Sequence, residues 1–376
     1  MIKSVWIDNF KSLVDFKIEL AKFNCVVGLN GMGKSTLLQA LDFLSQLAHG
    51  DIKGWLAGRQ WGASDLNSKL VKRSNIDFKV VFDLQGVEAT WSGSFNRSTL
   101  RCTRESVYKE QERLLRVDDG VLTLTAIEQN IFFDYQGSII SSLKTELLSG
   151  ELKQIKEKLL TIRSLDLISP ELLRNRTRAS GGKLGLGGEN LSALIHEQGQ
   201  PMQTKLRKKL AEVYPQLESI HAKSLRSGWK QLEVTERFGT NKLQSTARHL
   251  NDGMLRLMAI MLQLDIGGSL LLFDEIENGI NPELVEYLMD HLVQAKDQVL
   301  VTTHSPMILN FIEDEIARES VVCLYRTAEG YTRAIRLFDL PSMAKKLEFM
   351  GPGEAFVDTD LTLLIQEILQ TTQQEA

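Results

Sequence analysis

Residues 28–36 read GLNGMGKST and satisfy the pattern G-x-x-x-x-G-K-[S/T] of a phosphate-binding loop. The apolar segment FNCVV, residues 23–27, precedes this phosphate loop, and apolar residues at helical spacing follow it from Leu37 to Leu47. A strand before the pattern and a helix after it are the setting in which it binds nucleotide phosphates. These flanks disfavour the alternative, a glycine-rich turn without a ligand, and they indicate an α/β fold.

The residue types of the phosphate loop indicate how it would hold ATP. Three glycines permit the positive φ angles that turn backbone N–H groups toward one anion: Gly28, Gly31 and Gly33. The N-terminus of the following helix adds its dipole. We expect Lys34 to reach the β- and γ-phosphates, Ser35 to ligate Mg²⁺, and Thr36 to hold the α-phosphate.

The composition excludes several classes of protein. The chain has 376 residues, of which 43% are hydrophobic, and no run approaches the roughly 20 apolar residues of a spanning helix. Three cysteines, far apart and odd in number, fit neither a disulfide framework nor a zinc site. The N-terminus lacks the pattern of a signal peptide. We therefore expect a cytoplasmic protein without a membrane partner.

Two further apolar segments end in polar residues that suit nucleotide chemistry. SLLLFDE ends in Asp274 and Glu275, and the end of such a strand faces the ligand crevice of an α/β sheet. We expect Asp274 to hold Mg²⁺ through water and Glu275 to polarise the attacking water. The alternative is that these acids cap the helix beginning near ENGINPEL. QVLVTT runs into His304, which could donate to a γ-phosphate or be merely structural.

Residues 249–257, HLNDGMLRL, place Asn251, Asp252 and Gly253 at the start of an apolar helix. These three residues are called the signature segment below. A helix N-terminus with a glycine that allows close approach suits an anion. The alternative is an Asn or Asp cap without a ligand.

In this order, the motifs resemble those of the ATP-binding-cassette (ABC) superfamily, in particular its branch of RecF and the structural-maintenance-of-chromosomes (SMC) proteins. The chain looks most similar to the stand-alone ATPases related to the OLD (overcoming lysogenization defect) proteins. The resemblance spans nearly the full length and rests on NFKS, GLNGMGKST, GGKLGLGGENL, LNDGMLRLMAI, LLLFDEIENGINPE and QVLVTTHSP. Single motifs are weak signals, whereas the ordered set is specific.

The resemblance implies a head in which two copies sandwich two ATP molecules, as a homodimer or a higher even-numbered oligomer. One copy would bind ATP and Mg²⁺ through Lys11, Asn30, Gly31, Gly33, Lys34, Ser35 and Thr36, with Asp274 as the second metal residue. The signature segment would meet a γ-phosphate held by the partner. Glu275, His304 and Lys34 would carry the hydrolysis of ATP to ADP and phosphate.

The chain departs from the family pattern at two positions. Asn251 stands where relatives usually have serine, although its amide keeps a donor and remains a good helix cap. Asn281 stands where relatives often have histidine before the proline. Both departures bear on the turnover rate more than on ATP binding. Arg256 could support the signature segment or a neighbouring phosphate, and Gln60 is a candidate for the Mg²⁺-sensing glutamine.

The expected architecture is an ABC-type ATPase head with an inserted, mainly helical lobe. Residues 1–138 and 239–376 would form the two halves of the head, a mixed β subdomain plus a parallel core sheet, and residues 139–238 would form the lobe. From Arg174 to Lys242 the chain carries thirteen Lys or Arg against six Glu. Such a surplus is either a solvated face or a DNA contact, for which Lys205, Arg207, Lys208 and Lys209 are candidates.

OLD-type proteins carry a C-terminal nuclease domain that is not evident after His304. Asp358 and Asp360 could bind a metal, but they precede an apolar-periodic segment, residues 361–369, whose helix they would cap. We therefore expect a DNA-acting or DNA-sensing ATPase of a bacterial anti-phage system with a separate effector, a nuclease or toxin. The alternatives are a slow or non-hydrolysing ATP-dependent scaffold and the nucleotide-binding subunit of a transporter.

Overall fold

Strands and helices both contribute to the fold, which confirms the α/β prediction. The computed structural model describes residues 1–118, 120–124, 127–165, 168–360, 364 and 367–368. The strands are β1 (Ile2–Asp8), β2 (Phe16–Glu19), β3 (Phe23–Val27), β4 (Asn75–Leu84), β5 (Val87–Asn96), β6 (Arg101–Lys109), β7 (Glu112–Asp118), β8 (Val121–Leu124), β9 (Ile127–Asn130), β10 (Ile162–Leu165), β11 (Leu217–Ser224), β12 (Lys230–Phe238), β13 (Asn241–Thr246), β14 (Leu270–Phe273), β15 (Gln298–Thr302), β16 (Val321–Arg326) and β17 (Thr332–Arg336).

The helices alternate with these strands along most of the chain. They are α1 (Lys34–His49), α2 (Ile52–Gly58), α3 (Ile139–Ser142), α4 (Gly150–Leu160), α5 (Pro170–Leu173), α6 (Leu191–Glu197), α7 (Gly199–Ala211), α8 (Asp252–Ile266), α9 (Pro282–Val293), α10 (Asp314–Ser320), α11 (Pro341–Lys346) and α12 (Pro352–Val357). Short 3₁₀ turns lie at Ala63–Asp65, Thr145–Leu147, Arg226–Gly228, Ala247–His249, Pro306–Phe311 and Leu337–Asp339. Among the described helices, none is long and apolar enough to cross a membrane.

The chain divides into two compact units. The first unit comprises Met1–Arg163, Gly268–Leu272 and Gln298–Ala376, and the second comprises Ser164–Gly267 and Phe273–Asp297. The bounds of the three segments expected from the sequence, 1–138, 139–238 and 239–376, remain predictions.

An eight-stranded sheet in the first unit has the order β2-β1-β4-β5-β6-β7-β8-β9. Its long hairpin β4–β5 pairs antiparallel, and buried residues alternate with more exposed ones along β4, as in a sheet with one face on a core. The strands β1 to β5 lie in the segments expected from the sequence. Strands β6 to β9 were not expected, because their apolar residues alternate with charged residues and are too sparse to give a clear pattern.

The core sheet of the first unit has the order β10-β14-β15-β3-β16-β17. β3 pairs parallel with β15 on one side and with β16 on the other, and the edge strand β17 pairs antiparallel with β16. Every residue of β3, β14 and β15 is buried. Strands covered on both faces need continuous apolar runs, which is why FNCVV, LLLF and QVLVT were visible in the sequence.

Helix α1 follows the phosphate loop and packs into the core of the first unit. The five leucines expected on its apolar face, Leu37, Leu38, Leu41, Leu44 and Leu47, are all buried. Phe43 of the same helix packs edge-on against Phe95 of β5, with ring centroids 5.1 Å apart. Asp42 is buried on α1 and accepts hydrogen bonds from Trp55 Nε1 and Arg59 Nη2, each at 2.7 Å. These contacts fix the helix that carries the loop.

The second unit contains a three-stranded antiparallel sheet, β11-β12-β13, against which α6 and α7 pack. The basic helix expected around TKLRKKLAEVY is α7, and this prediction is confirmed. The sheet was not expected, because β13 is largely exposed and offers no apolar periodicity. The helical stretch expected over 139–173 is divided into α3, α4 and α5, with β10 between the last two.

Candidate functional site

The phosphate loop connects the carboxyl end of β3 to the first residue of α1 in the first unit. Gly33 precedes the helix with a φ of 108°, in the left-handed region that favours glycine, and no side chain caps the helix. Asn30 and Gly31 are exposed, and Thr36 is partly exposed in the first turn. An uncapped helix N-terminus at the end of a parallel strand is suited to an anion.

Two glycines of the phosphate loop lie so close to β16 and β17 that no side chain would fit. A Cβ added to Gly28 would lie 2.6 Å from the carbonyl oxygen of Leu324, and one added to Gly33 would lie 2.6 Å from Thr332 Oγ1. Both glycines also have positive φ angles. The glycines of the motif are therefore required by close packing as well as by backbone conformation.

Side chains distant in sequence hold the loop in shape. Arg326 Nε donates to the carbonyl oxygen of Gly31 at 2.9 Å, and Thr332 Oγ1 donates to that of Met32 at 3.0 Å. Because these bonds engage carbonyl oxygens of the loop, its N–H groups are not consumed by them. Sequence reasoning missed both residues, since they lie about 300 positions downstream in segments without a motif.

Lys34 is buried and bonds within the loop itself. Its Nζ donates to the carbonyl oxygen of Gly28 at 2.6 Å and to that of Leu29 at 3.3 Å. A bound phosphate would compete with these neutral acceptors through stronger, charge-assisted hydrogen bonds. Burial raises the pKa of the neighbouring Cys323 thiol to about 12, although the Lys34 charge acts in the opposite direction. Cys323 is thus a packing residue, as expected for all three cysteines, which are buried and free.

The residues expected to hold Mg²⁺ suit that ion by chemistry. Ser35 is exposed in the first turn of α1, and Asp274 is partly exposed after β14. Mg²⁺ takes oxygen ligands, keeps several waters and often binds through one carboxylate plus phosphate oxygens. In the described part of the chain, no group of three or more His, Cys, Asp or Glu side chains could hold a metal alone.

Lys11 lies in the first unit and contacts α1 and a tryptophan. Its Nζ donates to Gln39 Oε1 at 2.7 Å and lies 3.4 Å from the centroid of the Trp61 ring. Gln60, the candidate for the Mg²⁺-sensing glutamine, is exposed in a turn after α2 with a φ of 56°. Gln39 and Trp61 were not expected, because they belong to no motif.

His304 follows β15 directly and is exposed. The N–H of its neighbour Thr303 donates to the carbonyl oxygen of Val26 at 3.2 Å, at the end of β3. Since β3 leads into the phosphate loop, the structure brings these two sequence motifs to the same edge of the core sheet.

In the second unit, the signature segment begins helix α8. Asn251 is the N-cap, and its Oδ1 accepts a hydrogen bond from the N–H of Met254 at 2.7 Å. A Cβ added to Gly253 would lie 3.0 Å from the carbonyl oxygen of Gly279, in the loop after the carboxylate pair. The capping role expected of asparagine is confirmed. Only its Oδ1 accepts this bond, so the Nδ2 donors remain distinct from the cap.

Asp252 also has an internal partner in the second unit. Arg174 Nη2 donates to the Asp252 carboxylate and, at 2.8 Å, to the carbonyl oxygen of Leu250. Arg174 was not singled out among the basic residues of the sequence. It ties the segment after α5 to the start of α8.

The carboxylate pair follows β14, which neighbours β15 in the core sheet. Glu275 has a φ of 47°, a left-handed conformation that costs a residue with a side chain on the order of 1–3 kcal/mol. Its carbonyl oxygen accepts from the N–H of Asn278 at 2.9 Å, and its Oε2 accepts from Asn278 Nδ2 at 3.2 Å. Backbone strain of this kind concentrates at functional positions.

Arg256 of α8 holds the backbone of the carboxylate pair within the second unit. Its Nη2 donates to the carbonyl oxygens of Asp274 at 3.1 Å and Glu275 at 3.0 Å. Burial lowers the pKa of the Arg256 guanidinium, while the charges of Glu275, Glu277 and Asp274 act in the opposite direction. Arg256 was expected to support the signature segment or a neighbouring phosphate, whereas these hydrogen bonds hold the carboxylate pair.

Helix α9 begins at Pro282, and its N-cap is Asn281. Asp274 and Glu275 lie several residues before this cap, so the alternative that they cap the helix is wrong. Asn281 is exposed, and its side chain makes no capping hydrogen bond.

Asp358 has a structural role at the end of α12, in the first unit. It is the C-cap residue of that helix, and its carboxylate lies 3.1 Å from Lys346 Nζ. The helix expected over 361–369 lies largely outside the described residues. Asp358 thus has a structural role at the preceding helix, and the expected capping of the following helix by Asp358 and Asp360 stays a prediction.

Two family models match separate parts of the chain. Residues 1–95 match the "AAA ATPase domain", and residues 145–310 match the "AAA domain, putative AbiEii toxin, Type IV TA system". Among curated relatives, the phosphonates import ATP-binding protein PhnC of Lactobacillus johnsonii is 33% identical over 31% of this chain and 49% of that protein. PhnC of Lactobacillus acidophilus is 34% identical over 28% of this chain and 44% of that protein. The chain spans about half the length of these relatives.

Solved structures of SMC heads share the fold. An SMC head bound to the C-winged helix domain of ScpA covers 89% of this chain and 96% of its own, at 16% identity and a TM-score of 0.52. An SMC head with an extended coiled coil, bound to the C-terminal domain of ScpA derived from Pyrococcus furiosus, covers 92% and 99%, at 13% identity and a TM-score of 0.52. The chain thus has the fold of SMC heads, and two AAA-type ATPase family models match separate parts of it.

Proposed function

We propose that the protein binds ATP in the phosphate loop and hydrolyses it. The observation that carries this proposal is the loop itself: it is exposed, it precedes an uncapped helix, and its carbonyl groups rather than its N–H groups are tied down by Arg326 and Thr332. Such a loop offers several N–H donors to one polyphosphate. Lys34 supplies the positive charge, and Lys11 and Asn30 complete the set expected around the nucleotide.

Glu275 is the proposed general base. Arg256 donates a hydrogen bond to the carbonyl oxygen of Glu275. The backbone of Glu275 is strained, and the Glu275 carboxylate accepts a hydrogen bond from Asn278 Nδ2. A carboxylate fixed in this way can accept a proton from the attacking water, and His304 is the proposed donor to the γ-phosphate. Mg²⁺, held by Ser35 and through water by Asp274, would neutralise charge on the phosphate oxygens.

The signature segment is proposed to complete the site of a second copy. Its residues are exposed or partly exposed at the start of α8, and Asn251 Nδ2 can donate while Oδ1 caps the helix. ATP would therefore bring two copies together, as a dimer or a higher even-numbered oligomer.

Replacing Glu275 with glutamine tests this proposal, because the amide keeps the size of the side chain and removes the base. Glu275→Gln is expected to bind ATP, to lose at least about 100-fold of its hydrolysis rate, and to accumulate a dimer in light scattering with ATP. Glu283→Gln, the same charge change on exposed α9, is the control and should behave as the wild type. An unchanged hydrolysis rate in Glu275→Gln would remove Glu275 as the base.

The biological role that we propose is DNA sensing or processing in a bacterial anti-phage system with a separate effector. The family model over residues 145–310 supports this role, since its description refers to a toxin–antitoxin system. Stimulation of ATP hydrolysis by DNA, and co-purification with the product of a neighbouring gene, would test it. If DNA does not stimulate hydrolysis and no product of a neighbouring gene co-purifies, the anti-phage role fails and only the proposed ATPase activity remains.

Two alternatives have distinct outcomes. A non-hydrolysing scaffold would bind ATP without releasing phosphate above the level of a Lys34→Ala variant. A transporter subunit is favoured by the resemblance to phosphonate import ATP-binding proteins, and it would co-purify with a membrane protein.

A further inference from the structure

The basic residues of the second unit are not equally available to a ligand. Lys205 and Lys209 of α7 both pair with Asp265, at 2.8 and 2.7 Å, so much of their charge is compensated. These are two of the four residues from which a DNA contact was expected. A second group of basic residues lies in another part of the same unit.

A cavity of about 490 Å³ in the second unit is lined by four arginines together with Trp229 and Asn175: Arg174, Arg176, Arg226 and Arg248. Its volume is in the range of small-molecule and cofactor sites. No motif pointed to it, because the arginines are spread over some 70 positions of the sequence.

Three segments bring these residues together. Arg174 to Arg176 follow α5, while Arg226 and Trp229 lie in the turn between β11 and β12. That turn is closed by a hydrogen bond from the N–H of Leu225 to the carbonyl oxygen of Trp229 at 2.7 Å. Arg248 lies in the 3₁₀ turn just before the signature segment. The cavity therefore adjoins the start of α8 within one unit.

The charges in the cavity favour an anion. In the part of the chain that the structure describes, Arg174 alone among the four arginines has a carboxylate partner, Asp252. Like charges held near one another repel, and this repulsion is relieved by a bound anion. Guanidinium groups are suited to phosphate, which they bind through paired hydrogen bonds. The four arginines are thus arranged for a phosphate group.

Trp229 adds a flat apolar surface to this phosphate site. The residue is 40% exposed, and the guanidinium carbon of Arg178 lies 5.2 Å from its ring centre. Exposed aromatic rings beside arginines are the platforms on which unpaired bases stack in single-strand-binding proteins. In a duplex the base faces are covered by their neighbours, so only the backbone would be available.

We propose that this cavity binds a segment of single-stranded nucleic acid, with phosphate on the arginines and an unpaired base on Trp229. The proposal rests on the DNA-related part of the proposed function and names the form of nucleic acid recognised. It also links the ligand to the signature segment. A phosphate in the cavity competes with Asp252 and the Leu250 carbonyl for Arg174, and it thereby changes the contacts that hold the start of α8.

The test is fluorescence anisotropy with a labelled oligothymidylate of about ten nucleotides, a length within the site sizes of single-strand-binding folds. An Arg176→Ala/Arg226→Ala double variant is expected to lose about tenfold or more in affinity. Its plot of log K against log salt should be shallower by about 1.4, because two phosphate contacts are lost. The matched control is Arg207→Ala/Lys208→Ala on α7, which removes the same charge from the same unit and should change affinity less than about threefold.

A second pair of variants isolates the stacking. Trp229→Ala should weaken binding about fivefold or more, whereas Trp229→Phe, which keeps a ring, should retain most of the affinity. Arg226→Lys keeps the charge of the exposed turn and should give an intermediate loss, which separates recognition from a folding defect. Thermal melting of each variant checks that it is folded.

Several results would overturn the inference. Equal losses of affinity in the two double variants would show that the net positive charge of the unit attracts the strand without a specific site. Duplex DNA of the same length that binds as tightly would exclude an unpaired base, and thymidine monophosphate that displaces the labelled strand as effectively as unlabelled oligothymidylate would exclude a strand. Absence of any nucleic-acid binding would remove the inference and the DNA-related role together, whereas phosphate release and the Glu275→Gln dimer would still report on the ATPase.

Discussion

The phosphate loop and the signature segment are both followed by a helix, but their polar groups are used differently. At the phosphate loop no side chain caps α1, and Arg326 and Thr332 engage carbonyl oxygens of the loop and not its N–H groups. At the signature segment, Asn251 caps α8, and Arg174 engages the neighbouring Asp252. The first has the geometry that suits the proposed anion site, whereas the second is held by contacts that a ligand could alter.

The function of the phosphate loop therefore follows from its sequence more directly than that of the signature segment. The phosphate loop depends on glycines and the backbone, which few alternatives satisfy. The signature segment depends on a side chain from outside the motif, that of Arg174, whose exchange would change the contacts of the segment without changing the motif. Variants at both sites can measure how far the difference extends.

The largest effect is expected at the phosphate loop. Lys34→Ala removes the cation that the loop itself supplies, and ATP hydrolysis should fall at least about 100-fold. Phosphate release measures this rate, and Lys53→Ala at an exposed position of α2 is the control. Retention of more than a tenth of the rate would show that the proposed anion site is not the catalytic one.

A loss of about 1–3 kcal/mol in the free energy of unfolding is expected for Arg256→Met, because the carbonyl oxygens of Asp274 and Glu275 lose a buried donor. The turnover number for ATP should fall more than its affinity, since Glu275 is displaced while the phosphate loop is intact. Urea unfolding and steady-state kinetics measure the two effects. Arg207→Met is the control, and equal kinetics in both variants would deny Arg256 a positioning role.

At Glu275 the backbone strain can be separated from the carboxylate. Glycine tolerates the φ of 47°, so Glu275→Gly should be more stable than Glu275→Ala by about 1 kcal/mol, and both should lose hydrolysis. Chemical denaturation of the two variants gives the difference directly. If the alanine variant is the more stable one, the positive φ at position 275 does not destabilise the protein.

The smallest effects are expected at Asn251. Asn251→Ala removes the cap on Met254 and should cost about 1 kcal/mol of stability, whereas Asn251→Ser keeps a capping oxygen and should cost less than about 0.5 kcal/mol. Because either residue leaves a donor for a γ-phosphate, ATP turnover of the serine variant should stay within about threefold of the wild type. A faster serine variant would show that the asparagine slows the enzyme.

Much of the core could be predicted because its strands are buried on both faces. β3, β14 and β15 are short and continuously apolar, and each runs directly into the residues that carry a motif. Helix α1 could be predicted from its leucines. The sheet β11-β12-β13 could not, since β13 is largely exposed and its pairing depends on contacts that leave no period in the sequence.

For the candidate site, the residues proposed to contact the phosphates could be predicted from the sequence, whereas the residues that support them could not. Glycine, lysine and the carboxylates occur at fixed local spacing because one loop or one strand end presents them. Arg326 and Thr332 reach the loop from about 300 residues away, and the four arginines of the cavity come from three separate segments. Local spacing thus specified the ATPase motifs and the helix caps. Long-range folding alone could place the supporting side chains and the basic cavity, because such contacts depend on how distant segments pack and not on their order.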